Sequence, residues 1–313
     1  MRLLLKIIAG VFLLLFVLTA SLYRPDLSIT EAESRYRTPT SQFLDIEDAR
    51  VHVRIRGSGP ALFLIHGSFS SLHTWQPWED SLSTTFTTVS MDLPGHGLTG
   101  PNKLDDYSQE YYVRVVFGIA DRLGIDTFAV AGNSMGGNVA NRMALNQPRR
   151  ITKLVLIDAA GPPAAGSPST AKPSGSPFIF RLLSTPVLST MMVKCTPKFL
   201  FRSTLKDVYG DPERITDAQV DRYYDLILRE GNRVATLKRI RGIRSETPSG
   251  KVDCPTFILW GEQDRWIPVA VANRFHEAIP ESKLTVMKGI GHVPMEEQPA
   301  ESLAAVQEFL LHR

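Results

Sequence analysis

The sequence predicts an α/β fold in which a mostly parallel sheet is covered by helices on both faces. Short, continuously apolar runs at residues 61–65 and 128–131 are typical of strands buried on both sides. Longer segments with helical spacing of apolar residues, such as residues 107–123, lie between these runs. Strands that alternate with helices imply right-handed crossovers and therefore a parallel sheet. A chain of 313 residues, 43% of them hydrophobic, is long enough to bury a sizeable core.

Residues 1–24 are predicted to be an N-terminal membrane anchor or signal segment. Arg2 and Lys6 precede an apolar stretch that extends to residue 22, and about 20 such residues just suffice to cross a bilayer. Leu18-Thr19-Ala20 is a poor processing site, so an uncleaved single-pass anchor is favoured over a protein secreted or periplasmic after cleavage. The basic N-terminus predicts a body on the exocytoplasmic side of the membrane. Residues 25–42 would then be a polar tether.

The charge of the chain argues against nucleic acid as a partner. The formal net charge is +3, but Arg2, Lys6 and Arg24 lie in or beside the N-terminal segment. Without them, 32 basic residues balance 32 acidic ones, which does not indicate nucleic-acid binding. Cys195 and Cys254 are too few for a disulfide framework and lack metal-ligand spacing.

Residues 43–160 are predicted to form the first part of the core. Residues 43–46 and 51–55 alternate apolar with polar side chains, as half-exposed antiparallel strands do. Further strands are predicted at residues 61–65, 87–91, 126–131 and 154–157, with helices at residues 107–123 and 137–145.

The alternation stops between residues 161 and 248, which are predicted to form a helical cap. The segment 161–177 has the Pro, Ser, Gly and Ala content of a loop, and residues 178–243 carry helical patches without a strand pattern. Strands resume at residues 256–260 and 283–287, so residues 249–313 form the second part of the core. Open α/β folds bind ligands at the carboxyl edge of the sheet, where this insertion would lie.

One motif with a chemical meaning lies between a predicted strand and a predicted helix. It reads Gly132-Asn133-Ser134-Met135-Gly136, the G-x-S-x-G pattern of a nucleophile elbow. Such a turn holds its serine in a strained backbone conformation, with the hydroxyl clear of the sheet. Gly132 and Gly136 supply the small residues that a close crossing of strand and helix requires. Ser134 is therefore the predicted nucleophile.

A serine hydroxyl needs a base to take its proton, and the base needs an acid to orient it. The chain offers these groups in the order Ser, acid, His. Asp264 follows the strand at 256–260 and His292 follows the strand at 283–287, so both loops are expected at the edge that carries Ser134. We predict that Asp264 accepts a hydrogen bond from one nitrogen of His292 and that the other nitrogen faces Ser134.

Other carboxylates could take the role of the acid. Glu262 lies earlier in the same loop as Asp264, and Asp158 could reach the histidine from the end of the strand at 154–157. Asp92 is predicted instead to hold its own loop together by hydrogen bonds.

A tetrahedral oxyanion needs two preorganised donors, and backbone N–H groups serve best. Met135, at the start of the elbow helix, supplies one of them. Gly67 allows close backbone approach after the strand at 61–65, so Ser68 is predicted to supply the other, with Phe69 as the alternative. His66 is predicted to brace the loops beside the site.

Together these motifs resemble the α/β-hydrolase superfamily. In chain order, the matching residues are His66-Gly67, Asp92-Leu93-Pro94-Gly95-His96-Gly97, Gly132-Asn133-Ser134-Met135-Gly136-Gly137, Trp260-Gly261-x-x-Asp264 and Gly291-His292-x-Pro294. Their order and spacing are similar to those of the capped members, from about residue 43 to the C-terminus apart from the insertion. The resemblance implies an eight-stranded sheet with its second strand antiparallel, a triad of Ser134, Asp264 and His292, and no metal or organic cofactor.

The fold does not determine the reaction. A serine nucleophile argues against the dehalogenases and epoxide hydrolases of the superfamily, which use aspartate, so carboxylic-ester hydrolysis is the main prediction. The elbow also resembles that of meta-cleavage-product hydrolases, which cut a carbon–carbon bond. Those enzymes usually have a Gly-rich, Pro-containing run after the first His-Gly and an aromatic residue after the catalytic histidine, whereas Ser68-Phe69-Ser70 and Val293 stand here. A cofactor-free perhydrolase or haloperoxidase-like protein and a non-catalytic ligand receptor are the remaining alternatives.

Apolar residues in the insertion indicate the type of substrate. They are Phe178, Phe180, Leu182, Leu183, Met191, Met192, Phe199, Leu200 and Phe201. The same residues could serve only to pack the cap helices, but a cap this apolar favours acyl chains over sugars or peptides. An anchor joined to such a domain is similar to membrane-bound monoacylglycerol lipases. We therefore predict a lipase or esterase whose partner is a small-molecule ester or lipid.

Overall fold

The computed structural model describes residues 20–161, 193–242 and 250–312, together with single positions between residues 6 and 17 and between residues 185 and 190. Six of the apolar residues that indicated the substrate lie outside the described residues: Phe178, Phe180, Leu182, Leu183, Met191 and Met192.

An eight-stranded sheet forms the centre of the structure. Its strands are β1 (Ser41–Ile46), β2 (Ala49–Arg56), β3 (Ala61–Ile65), β4 (Thr87–Met91), β5 (Phe128–Asn133), β6 (Ile151–Ile157), β7 (Thr256–Gly261) and β8 (Lys283–Met287). Their spatial order is β1-β2-β4-β3-β5-β6-β7-β8. Strand β2 is antiparallel to both of its neighbours, and every other pair is parallel. The predicted mostly parallel sheet with an antiparallel second strand is confirmed.

Helices cover both faces of this sheet. They are α1 (Ile29–Tyr36), α2 (Gln76–Leu82), α3 (Gln109–Arg122), α4 (Met135–Asn146), α5 (Lys198–Val208), α6 (Asp217–Leu228), α7 (Asn232–Gly242), α8 (Val269–Ala278), α9 (Pro294–Glu297) and α10 (Pro299–Leu311). Successive residues of β3 point to opposite faces. Phe63 packs with apolar side chains of α3, α4 and α8, whereas Leu62 and Leu64 pack with those of α2 and α10. The central strands are therefore buried on both sides, which explains their continuous apolar runs.

The described part of the predicted cap, residues 193–242, contains helices α5, α6 and α7, and we call this part the cap from here on. Helix α6 begins with a capping box between Thr216 and Gln219. Its buried residues include Val220, Tyr224 and Ile227, which have the spacing of one helix face.

Residues 25–42, the predicted polar tether, contain helix α1 and contact the cap. Ser28 caps helix α1 by accepting a hydrogen bond from the N–H of Glu31. The Leu27 N–H donates to Leu228 O at 2.8 Å, and Tyr36 Oη donates to Asp225 at 2.9 Å. An eight-residue helix is too short for apolar periodicity to reveal it, so the sequence did not predict this contact.

The predicted membrane location is corrected by the structure. Among the residues that it describes, no helix is both long enough and apolar enough to cross a bilayer. The prediction of a single-pass anchor, and with it of an exocytoplasmic body, relied on the composition of residues 1–24. Most of residues 1–19 lie outside the described residues.

Candidate active site

Ser134 lies at the junction of strand β5 and helix α4, as the elbow motif predicts. Its backbone adopts φ 54° and ψ −118°, a conformation that non-glycine residues rarely occupy. Two backbone hydrogen bonds hold the turn in place: the Ser134 N–H donates to Ile157 O at 3.0 Å, and Ser134 O accepts from the N–H of Ala160 at 2.9 Å. The surrounding structure therefore sustains a strained conformation, which is common at functional sites.

The two glycines of the elbow occupy positions without room for a side chain. A Cβ atom on Gly132 would overlap the carbonyl oxygen of Gly136. A Cβ atom on Gly136 would overlap the carbonyl oxygen of Ile65 and lie 2.6 Å from that of His66. Both obstacles are backbone atoms of core elements, so a side chain at either position would displace the strand or the helix.

Replacement of Gly136 by alanine is expected to lower the free energy of unfolding by about 3 kcal/mol, because the added methyl group forces backbone apart in a packed core. Urea denaturation would measure this change. Gly242 is a matched control at the end of helix α7, where an added Cβ atom would meet nothing within 4 Å. Gly242→Ala should change the free energy by less than about 0.5 kcal/mol. Equal stability of Gly136→Ala and wild type would contradict the close crossing.

His292 and Asp264 are in direct contact. The distance between His292 Nδ1 and Asp264 Oδ2 is 2.7 Å, and both side chains are buried. Asp264 Oδ1 accepts hydrogen bonds from the N–H groups of Trp266 and Ile267, at 2.7 and 2.9 Å. These bonds fix the carboxylate, and the carboxylate fixes the imidazole, so that Nε2 is the nitrogen available for proton transfer.

The side chain of Asn133 connects the elbow to the histidine loop by hydrogen bonds. Asn133 Nδ2 donates to His292 O at 2.9 Å and to Ile157 O at 3.2 Å. Within the described part of the chain, no hydrogen bond joins Ser134 Oγ to His292. Catalytic hydrogen bonds are often long or poorly aligned before substrate binds, and the pairing of Ser134 with His292 stays a prediction.

Asp158, the alternative acid, lies beside this pair in a different state. Ligating atoms of Asp158, Asp264 and His292 fall within 4.8 Å of one another. Asp158 Oδ1 accepts a hydrogen bond from the N–H of Gly261 at 2.9 Å, whereas Oδ2 has no hydrogen-bond partner among the described residues. Burial, followed by the charge of Asp264, raises the pKa of Asp158 well above its ordinary value. Because Asp264 is the carboxylate in direct contact with His292 Nδ1, it stays the predicted acid, with Asp158 as the alternative.

Among the described residues, these three side chains are the one cluster that could together hold a metal ion. His292 Nδ1 and both oxygens of Asp264 already take part in hydrogen bonds to each other or to the backbone. The arrangement is therefore that of an acid–imidazole pair.

The predicted oxyanion residues lie next to each other. Ser68 Oγ donates to Met135 Sδ at 3.6 Å, which brings the loop after β3 against the start of α4. A Cβ atom on Gly67 would lie 2.9 Å from Asn133 Oδ1, so glycine permits this approach. The backbone N–H groups of Ser68 and Met135 stay our predicted donors, and their role is a prediction.

His66 and Asp92 organise the loops behind these donors. His66 Nε2 accepts from the N–H of Leu93 at 3.0 Å, and its Nδ1 lies 2.7 Å from Gly67 O. Burial lowers the pKa of His66, so the ring is a neutral brace at neutral pH. Asp92 accepts from the N–H groups of Leu72 and Leu98, each at 2.8 Å, and thereby holds its loop.

One buried carboxylate, which sequence patterns did not indicate, joins the cap to the histidine loop. Glu297 accepts hydrogen bonds from the N–H groups of Gly291, Gly210 and Asp211 at 2.8, 3.0 and 2.8 Å. The His292 N–H donates to Val208 O at 2.7 Å. The position of the imidazole therefore depends on the end of cap helix α5. No spacing rule connects these residues, so only the folded chain reveals them.

An apolar cavity lies between the cap and the carboxyl edge of the sheet. Its space measures about 840 Å³, a figure that includes open solvent at the mouth, and His292, Asn133 and Ser68 form part of its wall. The apolar side chains of the wall are Phe69, Val193, Phe201, Leu205, Val208, Ile227, Trp266 and Val293. In the described wall, the cationic side chain is that of Arg233. Its Nη2 donates to Asp26 Oδ1 at 2.6 Å, and this ion pair neutralises its charge. The cavity is thus suited to a mainly apolar, uncharged ligand.

Comparison with known proteins agrees with this architecture. Residues 60–299 match the family described as alpha/beta hydrolase fold. Over 293 residues the chain is 28% identical to an uncharacterised protein of Mycobacterium tuberculosis, a match that covers 87% of this chain and 81% of that protein.

Two further relatives differ from each other in the reactions that their names describe. Over 297 residues, the chain is 26% identical to 2-hydroxy-6-oxononadienedioate/2-hydroxy-6-oxononatrienedioate hydrolase 1 of Dechloromonas aromatica, covering 90% of this chain and 99% of that protein. It is also similar to the crystal structure of a bacterial membrane phospholipase A, with a TM-score of 0.73 and 25% identity over 98% of this chain and 95% of that one. Because the family match spans more than half of its length, the chain belongs to the alpha/beta hydrolase fold family.

Proposed function

We propose that this hydrolase is a serine esterase that cleaves carboxylic esters of apolar acyl chains. The observation that carries the proposal is the 2.7 Å contact between Asp264 and His292, in a loop tied through Asn133 to the strained Ser134. A nucleophile, a base and an orienting acid at one edge of a sheet are the parts that acyl transfer requires.

In the acylation half-reaction, His292 Nε2 takes the proton of the Ser134 hydroxyl while Oγ forms a bond to the ester carbonyl carbon. The negative charge that develops on the carbonyl oxygen is received by the backbone N–H groups of Ser68 and Met135. The tetrahedral intermediate then collapses, the bond to the alcohol oxygen breaks, and His292 gives its proton to the departing alcohol. The acyl group stays on Ser134.

In the deacylation half-reaction, His292 takes a proton from a water molecule whose oxygen attacks the acyl carbon. Collapse of the second intermediate breaks the bond to Ser134 Oγ, which regains the proton from His292. The products are the carboxylic acid and the free enzyme. Throughout both halves, Asp264 stays ionised and stabilises the imidazolium that forms transiently.

The wall of the cavity supports an acyl chain as the group that occupies it. Eight apolar side chains line the space next to His292 in the described part of the chain. The cationic side chain of Arg233 is already paired with Asp26, so it offers little attraction to an anionic substrate.

The second candidate is cleavage of a carbon–carbon bond in a dienoate. It is favoured by the name of the relative from Dechloromonas aromatica, because the alignment with this chain covers 99% of that protein. A dienedioate carries two carboxylates, and an apolar wall with a neutralised arginine suits such a dianion poorly. Activity on a dienoate in the absence of ester hydrolysis would replace the proposed function with this one.

Labelling of the full-length protein with a fluorophosphonate probe tests the proposal. The wild type should react, because only an activated serine attacks phosphorus at a useful rate. Ser134→Ala should abolish the label, whereas Ser282→Ala, a change remote from the cavity, should retain it. Esters from acetyl to dodecanoyl should show kcat/KM increasing about fourfold per added CH₂ until the cavity is filled. A wild type that neither reacts with the probe nor hydrolyses any ester would refute the proposal.

A further inference from the structure

A buried arginine from the cap lies directly beside the predicted oxyanion hole. Arg239 belongs to helix α7 and is 5% exposed. Its Nη1 donates a hydrogen bond to Ser68 Oγ at 3.1 Å and lies 3.7 Å from Met135 Sδ. The guanidinium carbon is 5.6 Å from the centre of the Phe69 ring. Arg239 therefore contacts both residues whose backbone N–H groups are the predicted donors, together with the residue that follows Ser68.

The charge of this arginine has no counter-ion among the described residues. Nε and Nη2 of Arg239 are buried, and neither has a hydrogen-bond partner in the part of the chain that the structure describes. The nearby titratable groups are neutral at neutral pH, because burial lowers the pKa of His66 and His96 and raises that of Tyr112. Burial also lowers the pKa of Arg239 from its usual value, but a guanidinium stays protonated in proteins.

Among the described residues, three of the other four buried arginines form ion pairs, and the fourth, Arg229, donates to the backbone carbonyls of Glu230 and Thr99. Arg54 forms an ion pair with the buried carboxylate of Glu79, and Arg233 pairs with Asp26. An unpaired charge in the interior is unfavourable unless another group balances it. In the reaction proposed above, a negative charge forms on the substrate carbonyl oxygen beside Ser68 and Met135. In a site with little water, a fixed positive charge next to that position stabilises the transition state more than the ground state.

We propose that Arg239 is a positioning residue of the oxyanion hole, which fixes Ser68 through Nη1 and keeps an uncompensated positive charge beside the developing oxyanion. This inference rests on the proposed function, because it assumes acyl transfer at Ser134. Arg239 acts through Ser68 and does not line the cavity, so the role assigned to it is electrostatic support rather than recognition of a substrate anion.

Helix α7, which carries Arg239, also contacts the core of the protein. Asn232 Nδ2 donates to Gly97 O at 2.9 Å, and a Cβ atom on Gly95 would lie 3.2 Å from Ala235 Cβ. These contacts place α7 against the loop that follows β4. The oxyanion hole is therefore complete only when α7 is seated on the core, which couples the position of the cap to the rate of the chemical step.

Steady-state kinetics of Arg239→Gln, Arg239→Lys and Lys238→Gln would test this role with neutral esters. Arg239→Gln is expected to lower kcat by about 30- to 100-fold with KM changed by less than about threefold, because the lost interaction forms in the transition state. Arg239→Lys keeps the charge and most of the aliphatic stem, so it should retain most of kcat. Lys238 is a neighbouring, half-exposed cation paired with Asp105, and Lys238→Gln should match the wild type.

A second measurement separates electrostatic support from simple packing. A trifluoromethyl ketone forms an anionic tetrahedral adduct with an active serine, whereas the alcohol product binds as a neutral ground-state ligand. Arg239→Gln should weaken the ketone by the same factor as kcat and leave the alcohol within about twofold. Arg239→Lys should keep the affinity for the ketone, and this variant retains the test if the glutamine variant does not fold.

Several outcomes would overturn the inference. They are an unchanged kcat in Arg239→Gln, equal weakening of the ketone and the alcohol, a lysine variant as impaired as the glutamine variant, and a rise in KM confined to substrates that carry a carboxylate. Each leaves the esterase proposal intact if the wild type still reacts with the fluorophosphonate probe. A wild type that does not react would instead refute the proposed function itself.

Discussion

Replacement of His292 by glutamine is expected to lower kcat/KM for esters by about 10⁴- to 10⁶-fold. Glutamine cannot take the proton of Ser134, so the hydroxyl stays a weak nucleophile. The structure predicts little loss of stability, because the contacts of residue 292 with Asn133 and Val208 involve its backbone and survive the change. Ester hydrolysis and the rate of fluorophosphonate labelling should decline together.

His276 is the matched control for this change. It lies on helix α8, where its Nδ1 is 2.9 Å from Ser282 Oγ. His276→Gln should leave kcat/KM within about twofold of the wild type, since the side chain is remote from Ser134. A His292→Gln variant that retains more than about one hundredth of wild-type activity would mean that another group acts as the base.

Replacement by asparagine should lower kcat strongly at Asp264 and only slightly at the neighbouring Asp158. Asp264→Asn is expected to lower kcat by about 10⁴-fold, because an amide opposite His292 Nδ1 favours the wrong tautomer. Asp158→Asn should keep kcat within about threefold. An asparagine has the shape of a protonated Asp158, and its Oδ1 can still accept from the N–H of Gly261. Kinetics of the two variants side by side identify the acid of the triad, and the reverse order of effects would transfer that role to Asp158.

The pH dependence of stability is an independent test of the raised pKa of Asp158. The pKa of Asp158 is raised in the folded chain by burial and by Asp264. Between the ordinary value, about 4, and the raised value, the unfolded state has lost a proton that the native state keeps. Wild-type stability should therefore fall with increasing pH by up to about 1.4 kcal/mol per pH unit in that window. Asp158→Asn lacks this titration, so its stability relative to the wild type, as measured by urea midpoints, should increase as the pH rises from about 4 toward the raised value.

The sequence could predict the parts of the site that depend on residues close together in the chain. The elbow is one such stretch, since Gly132 and Gly136 are required by local crossing of strand and helix. Asp264 and His292 could be found because each follows a recognisable strand, β7 or β8, and parallel strands end at one edge. The contact between these two residues is present in the structure, and their catalytic roles stay predictions.

The parts that escaped prediction depend on which distant segments meet. The contact of Asn133 with the His292 carbonyl joins residues 159 positions apart. The hydrogen bonds of Glu297 to the end of helix α5 span 86 and 87 positions. Helix α7 carries several basic residues, and only tertiary packing distinguishes the buried Arg239 from the half-exposed Lys238.

The backbone conformation of residue 134 also limits how the chemistry of this chain could change during evolution. At a φ of 54°, side chains branched at Cβ are strongly disfavoured, so threonine is a poor substitute for Ser134 although it carries the same hydroxyl. Cysteine and aspartate are unbranched at that atom and fit the same geometry. Single substitutions at the elbow therefore give access to thioester or alkyl-ester intermediates, whereas a threonine enzyme would require a rebuilt turn.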